Sequence, residues 1–116
     1  MRIAVLGVGS IGGLILGALS TTDHVLVAVS RAETALRLSA EGLVLHHHDG
    51  PIEMIPPSRF EVVDTTIDEE ASQVSNSIDI AIICGKSGDT GLLGRIARNV
   101  LVPSGMVLSL QNGLGN

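Results

Sequence analysis

Gly7-Val8-Gly9-Ser10-Ile11-Gly12 is the run of residues best suited to chemistry in this chain, three glycines at G-x-G-x-x-G spacing directly after a short apolar stretch. Each glycine has a physical use. Gly7 permits a tight turn, Gly9 leaves room for a pyrophosphate to approach the backbone, and Gly12 lets the following helix pack closely on the preceding strand. The backbone N–H groups from about Gly9 to Gly12 are expected to face the phosphates at the positive end of that helix. By itself the run is a weak signal. It gains weight here because a strand precedes it and a helix follows, the context a dinucleotide site requires.

The next informative position is the end of the second strand, where an acid would hydrogen-bond the ribose 2′-hydroxyl of NAD. Ser30-Arg31 stands there instead. The planar donor fork of arginine suits a phosphate, so Arg31 favours the 2′-phosphate of NADP(H). Glu33 is a rival for the ribose, and a solvated surface arginine is the bland alternative. Lys86 follows the apolar run Ile78 to Cys84, and a lysine at a strand's carboxyl end points toward the ligand crevice of such a sheet. Asn112 follows the last strand, and its amide suits a nicotinamide ribose and a substrate oxygen, although Asn112-Gly113 is also an ordinary turn dipeptide. In a strand, His46 and His48 share one face while His47 points away, so the three histidines read as an exposed strand and no metal site is expected. Asp68, Glu69 and Glu70 read as a solvated helix start.

These residues need a scaffold. Arg2 to Leu6 reads as a central strand, Ser10 to Thr21 as a helix, and His24 to Val29 as a second buried strand. Together they form a βαβ unit with parallel strands. A short helix is expected from Arg31 to Ala40 with Gly42 as terminator. Leu43 to His48 and Ile52 to Ile55 flank Asp49-Gly50, the strongest hairpin signal, which predicts a hairpin excursion over about residues 43–56. Glu61 to Asp64 is expected as a strand, Ile67 to Asn76 as a polar helix, Ile78 to Cys84 as a buried strand, Asp89 to Leu101 as an amphipathic helix and Gly105 to Leu110 as a last strand. The fold class is therefore α/β, a Rossmann-type, doubly wound, mostly parallel sheet in a single domain.

Composition agrees. Of 116 residues 45% are hydrophobic, yet Phe60 is the sole aromatic, so the core is aliphatic, as strands covered on both faces require. A net charge of −5 and the near absence of aromatics exclude a nucleic-acid footprint or an anionic membrane surface as partner. Cys84 is the one cysteine, so no intrachain disulfide forms, and it reads as a buried strand end. No segment approaches bilayer-spanning length or a signal peptide, so a cytoplasmic location is the default.

Taken in order, Arg2 to Gly13, Arg31, Lys86 and Gln111-Asn112-Gly113-Leu114-Gly115 resemble the amino-terminal domain of the ketopantoate reductases, over the whole chain. The lysine and the Q-N-G-x-G turn are the more specific features. The resemblance implies cofactor contacts at Gly7, Val8, Gly9, Ser10, Ile11, Gly12, Arg31, Lys86 and Asn112, with Asn112 also touching substrate. It implies NADPH-dependent reduction of a small 2-oxo acid, 2-dehydropantoate in pantothenate synthesis. It further implies that residues 1–116 are the NADP-binding part of a longer enzyme, with the catalytic lysine in a helical carboxyl-terminal domain absent here. On that view the piece has no catalytic residue of its own, is inactive alone, and is expected to self-associate through uncovered apolar surface. A nucleotide-sensing module without catalysis and the amino-terminal domain of another β-hydroxyacid dehydrogenase are the competing readings.

Overall fold

A computed structural model describes residues 1–46, 50–65, 72–84 and 90–110, apart from the side chains of Ser10 and Thr90. Its elements run β1 (Arg2–Leu6), α1 (Ser10–Leu19), β2 (Val25–Ser30), α2 (Ala32–Glu41), β3 (Leu43–His46), β4 (Ile52–Ile55), a 3-10 turn (Pro57–Arg59), β5 (Glu61–Asp64), β6 (Ile78–Ile83), α3 (Thr90–Val100) and β7 (Leu101–Ser109). The main sheet has the order β5-β2-β1-β6-β7 among the described residues, and every pairing in it is parallel.

Successive side chains of a strand point to opposite faces, and both faces of this sheet are covered. Ile3 and Val5 of β1 join Leu16 of α1, Leu38 of α2 and Leu43, Leu45 and Ile55 of the hairpin in one buried cluster. Ala4 and Leu6 face the other way, toward Leu93, Ala97 and Val100 of α3. This is the doubly wound arrangement expected from the aliphatic strands. Helix α2 stops at Gly42, whose φ of +79° suits glycine and excludes most side chains. A Cβ there would also lie 2.2 Å from the Ile55 carbonyl oxygen, so Gly42 doubles as the point where β4 closes on the helix end.

The hairpin forms as expected, with β3 and β4 antiparallel and Leu43 opposite Ile55. Its register pairs His46 with Ile52, and the expected turn at Asp49-Gly50, like the end of the first strand at His47 and His48, falls partly outside the described residues. It packs on α1 at Gly17, where an added Cβ would sit 2.4 Å from Leu45 Cδ1. Arg59 pins the other end of α1. Its Nε donates to the Ser20 carbonyl at 2.8 Å, Nη1 donates to that of His24 at 3.3 Å, and Nη2 donates to that of Thr22. These carbonyls lie just past the helix, where backbone acceptors lack intrahelical donors.

One boundary differs clearly from expectation. The last strand begins at Leu101, immediately after α3, rather than at Gly105. Ile78 pairs with Leu101 and Ile80 with Met106, so Val102 to Gly105 bulge out of register. Pro103 has no N–H for a ladder, and such a residue is tolerated where the strand is an edge. Gly105 is the hinge of that bulge, since a Cβ there would lie 2.7 Å from Leu101 Cδ2. The helix expected over residues 67–76 falls mostly outside the described residues, and only Ser72 and Gln73 are seen as helical. No described helix is long and apolar enough to cross a membrane.

Candidate functional site

The chain moves outward from β1 to β2 to β5, then returns to place β6 on the opposite side of β1. The strand order therefore reverses between β1 and β6, and ligands of open parallel sheets bind beyond the carboxyl ends of the strands at such a reversal. A crevice of about 440 Å³ opens at that place. Gly7 and Gly9 come to it from the β1–α1 turn, Ser30 and Arg31 from the end of β2, Thr65 from the end of β5, and Cys84 from the end of β6. Its size lies in the range of small-ligand sites. A second hollow of about 620 Å³ shares Val8, Gly9 and Thr34 with it and runs between α1, α2 and β3.

The glycine turn divides its labour much as its spacing predicts. Gly7 has a φ of +90°, and its N–H donates to the Val29 carbonyl at 2.8 Å, which ties the turn to β2. A Cβ at Gly12 would stand 2.3 Å from the Gly7 carbonyl oxygen, so this glycine serves the packing of α1 on the strand end. At Gly9 an added Cβ would meet nothing within 4 Å among the described residues, so none of them fills the space before it. Gly9 is the N-cap of α1 and no side chain caps it, nor does any acid occupy the first turn. The N–H groups that begin α1 therefore have no capping side chain among the described residues, and an anion is a natural acceptor for them. Those are the features a pyrophosphate would fit: open space, donors and a positive helix end.

Val8 and Ile11 are partly buried and pack against the core cluster beneath α1. Their side chains serve the fold, and only their backbone is left for a ligand. Arg31 is the N-cap of α2, exposed, with no capping bond from its side chain. It shares the crevice wall with Ser30 and Thr34, while Glu33 is absent from that wall. Thr34, Thr65 and Cys84 also line the crevice without having been singled out as binding residues from the sequence. A polar residue within one helical turn of the second strand's end was the available signal for Thr34. Cys84 is 8% exposed, and burial pushes its thiol up from the ordinary range. Lys86, Asn112, His47 and His48 lie outside the described residues. Among the described residues no group of three or more His, Cys, Asp or Glu side chains is placed to hold a metal.

Residues 3–116 match the family described as ketopantoate reductase PanE/ApbA. A 2-dehydropantoate 2-reductase of Halobacterium salinarum is 32% identical over all of this chain, which covers 35% of that protein. A PanE/ApbA family ketopantoate reductase from Ralstonia eutropha JMP134 superposes with a TM-score of 0.77 at 28% identity, over 100% of this chain and 36% of its own. The fold is shared more widely: a D-mandelate dehydrogenase solved with NADH and anilino(oxo)acetate has a TM-score of 0.77 at 19% identity, over 99% of this chain and 34% of its own. The chain thus spans about a third of the length of these relatives.

Proposed function

Because the chain belongs to the ketopantoate reductase family, we propose that it is the NADP(H)-binding domain of a reductase acting on a small 2-oxo acid, 2-dehydropantoate foremost. The observation that carries this reading is the crevice at the ends of β1, β2 and β6, with an uncapped helix terminus on one side and Arg31 on another. The first turn of α1 holds the pyrophosphate through backbone N–H groups, and Gly9 leaves the space for it. Arg31 meets the 2′-phosphate with its guanidinium fork. Among the described residues that line the wall beside it there is no carboxylate to read a free ribose 2′-hydroxyl, Glu33 not being one of them. Lys86 adds a cation toward the cofactor, and Asn112 orients both the nicotinamide ribose and the substrate.

When bound, NADPH supplies the hydride that reduces the 2-oxo carbon. This chain's residues bind and orient the dinucleotide, and the proton donor to the developing alkoxide is a lysine of the whole enzyme's helical domain, outside residues 1–116. The isolated chain accordingly binds cofactor without turning over substrate, and its setting is the cytoplasm.

Titration by calorimetry with NADPH and NADH tests the reading. The chain is expected to prefer NADPH, and Arg31→Ala to weaken NADPH at least tenfold, consistent with loss of about 1.5 kcal/mol or more for a hydrogen bond to a charged group. NADH affinity should change less than twofold. Equal affinity of the unaltered chain for the two cofactors would overturn the NADP(H) assignment.

A further inference from the structure

The two edges of the main sheet are built differently. β5, at one edge, is four residues long and has an acid at each end, Glu61 and Asp64, with Glu61 paired to Arg2 at 3.3 Å. Brevity and charge are common protections of an edge strand against pairing with another chain. β7, at the opposite edge, has nine residues, and no charged side chain occurs from Leu101 to Leu110. Met106, Val107, Leu108 and Leu110 are all exposed, Met106 at 58%, so apolar side chains stand uncovered on both faces of the strand. The backbone completes this surface. The Leu110 N–H donates to the Ile83 carbonyl at 2.7 Å, toward β6. Backbone groups alternate sides along a strand, so the N–H and C=O groups of Val107 and Ser109 face outward, where no strand of the described residues pairs with them. Pro103, which would weaken pairing, lies in the irregular part of the strand and leaves Met106 to Leu110 clear.

We propose that β7 is a homotypic docking edge, at which a second copy of this chain adds its own β7 antiparallel across a two-fold axis, so that the two five-stranded sheets become one. A two-fold axis sets a strand against itself, and the strand must therefore tolerate its own residues. With the axis at Leu108, Leu108 meets Leu108, Met106 meets Leu110, and each Val107 exchanges its outward hydrogen bonds with Ser109 of the second copy. No like charges oppose one another. At β5 the same operation would bring Glu61 and Asp64 of the two copies together, which is unfavourable. A charged strand finds nothing at β7 to answer it, whereas a neutral apolar strand does, and the chain carries one in β7 itself. An antiparallel strand at the edge of a parallel sheet is a common arrangement. The self-association expected from uncovered apolar surface thereby gains a definite place.

Sedimentation equilibrium of the 116-residue chain over a range of concentrations is expected to show a monomer–dimer equilibrium that goes no further, because a two-fold contact closes on itself. Leu108→Lys sets like charges across the axis, and Ser109→Pro removes an outward N–H without touching a bond to β6. Each is expected to weaken the dimer about tenfold or more while the far-ultraviolet circular dichroism is kept. Met54→Lys alters the exposed face of the β3–β4 hairpin, the rival apolar surface, and should leave the dimer within twofold. Hydrogen exchange of the unaltered chain, followed by NMR, needs no variant: protection of the Val107 and Ser109 amides should rise with chain concentration. A monomer at every concentration, open-ended oligomers, a dimer that survives Leu108→Lys or is lost equally with Met54→Lys, or amide protection independent of concentration would each overturn the proposal. None of these outcomes bears on which dinucleotide the crevice takes.

Discussion

One methyl group added at Gly9 and, separately, at Gly12 should separate ligand space from packing space within a single turn. At Gly12 the new Cβ would lie 2.3 Å from the Gly7 carbonyl oxygen and 3.4 Å from Cys84 Cβ. Ordinary contact at the first of these needs about 1 Å more, and the neighbour is backbone of a buried strand end, which cannot rotate away. Overpacking of this kind costs about 1–3 kcal/mol, and the better helix propensity of alanine returns at most about 1. A net loss of about 1–2 kcal/mol corresponds to a midpoint lower by roughly 4–8 °C for a domain of this size. At Gly9 no described atom lies within 4 Å of the added Cβ, so alanine meets no clash, although the residue's φ of −99° and ψ of −149° lie outside the regions alanine prefers. Gly9→Ala should therefore lower the midpoint less than Gly12→Ala does, yet weaken NADPH at least tenfold by filling the phosphate's space. Circular dichroism melts and calorimetric titration read the two effects separately. NADPH affinity unchanged in Gly9→Ala would refute the account of the open space, and equal midpoints for the two variants would refute the account of Gly12.

Two other outcomes follow from the geometry. Arg59→Ala removes three guanidinium contacts to the carbonyls of Ser20, Thr22 and His24, and should lower unfolding stability by about 2 kcal/mol in urea titration; Arg59→Lys should recover only part, since a point charge cannot reach all three, and full recovery would count against the fork. Cys84 gives a pH dependence. The unfolded chain, its thiol titrating near ~8.5, loses its proton before the native chain does, so the native advantage at this group is intact below about pH 8 and declines above it. Alkylation of Cys84 by iodoacetamide should run slower at pH 8 than that of free cysteine, keep rising past pH 9 and slow further under saturating NADPH. A rate profile that levels near 8.5 would contradict the buried setting.

Much of this fold is legible in the chain because the deciding residues act locally. Gly7 and Gly42 mark positive φ, and the aliphatic strands mark a sheet covered on both faces. β7 is the counterexample. Nothing local places its start at Leu101, since Pro103 argues against a strand there, and the element exists through its pairing with β6. The site divides in the same way. Gly9, Gly12 and Arg31 are chemically distinctive residues at diagnostic spacing. Thr34 and Thr65 are common residue types, and what makes them candidates is convergence from α2 and β5 on one crevice. Val8 and Ile11 make the complementary point, because residues inside a binding motif can belong to the core.

The register of β1 also carries a kinetic consequence. Ile3 pairs with Leu26 on one side and with Ile80 on the other, so the two seams of the central strand close loops of very different length. The longer closure costs about 1 kcal/mol more in chain entropy, and non-local parallel pairing is intrinsically slow. The β1–β2 seam, which ties Gly7 to Val29, is expected to form first. The β1–β6 seam, which sets Cys84 beneath the glycine turn, is expected to form later, so the floor of the crevice is complete only once β6 has found β1 across the longer loop.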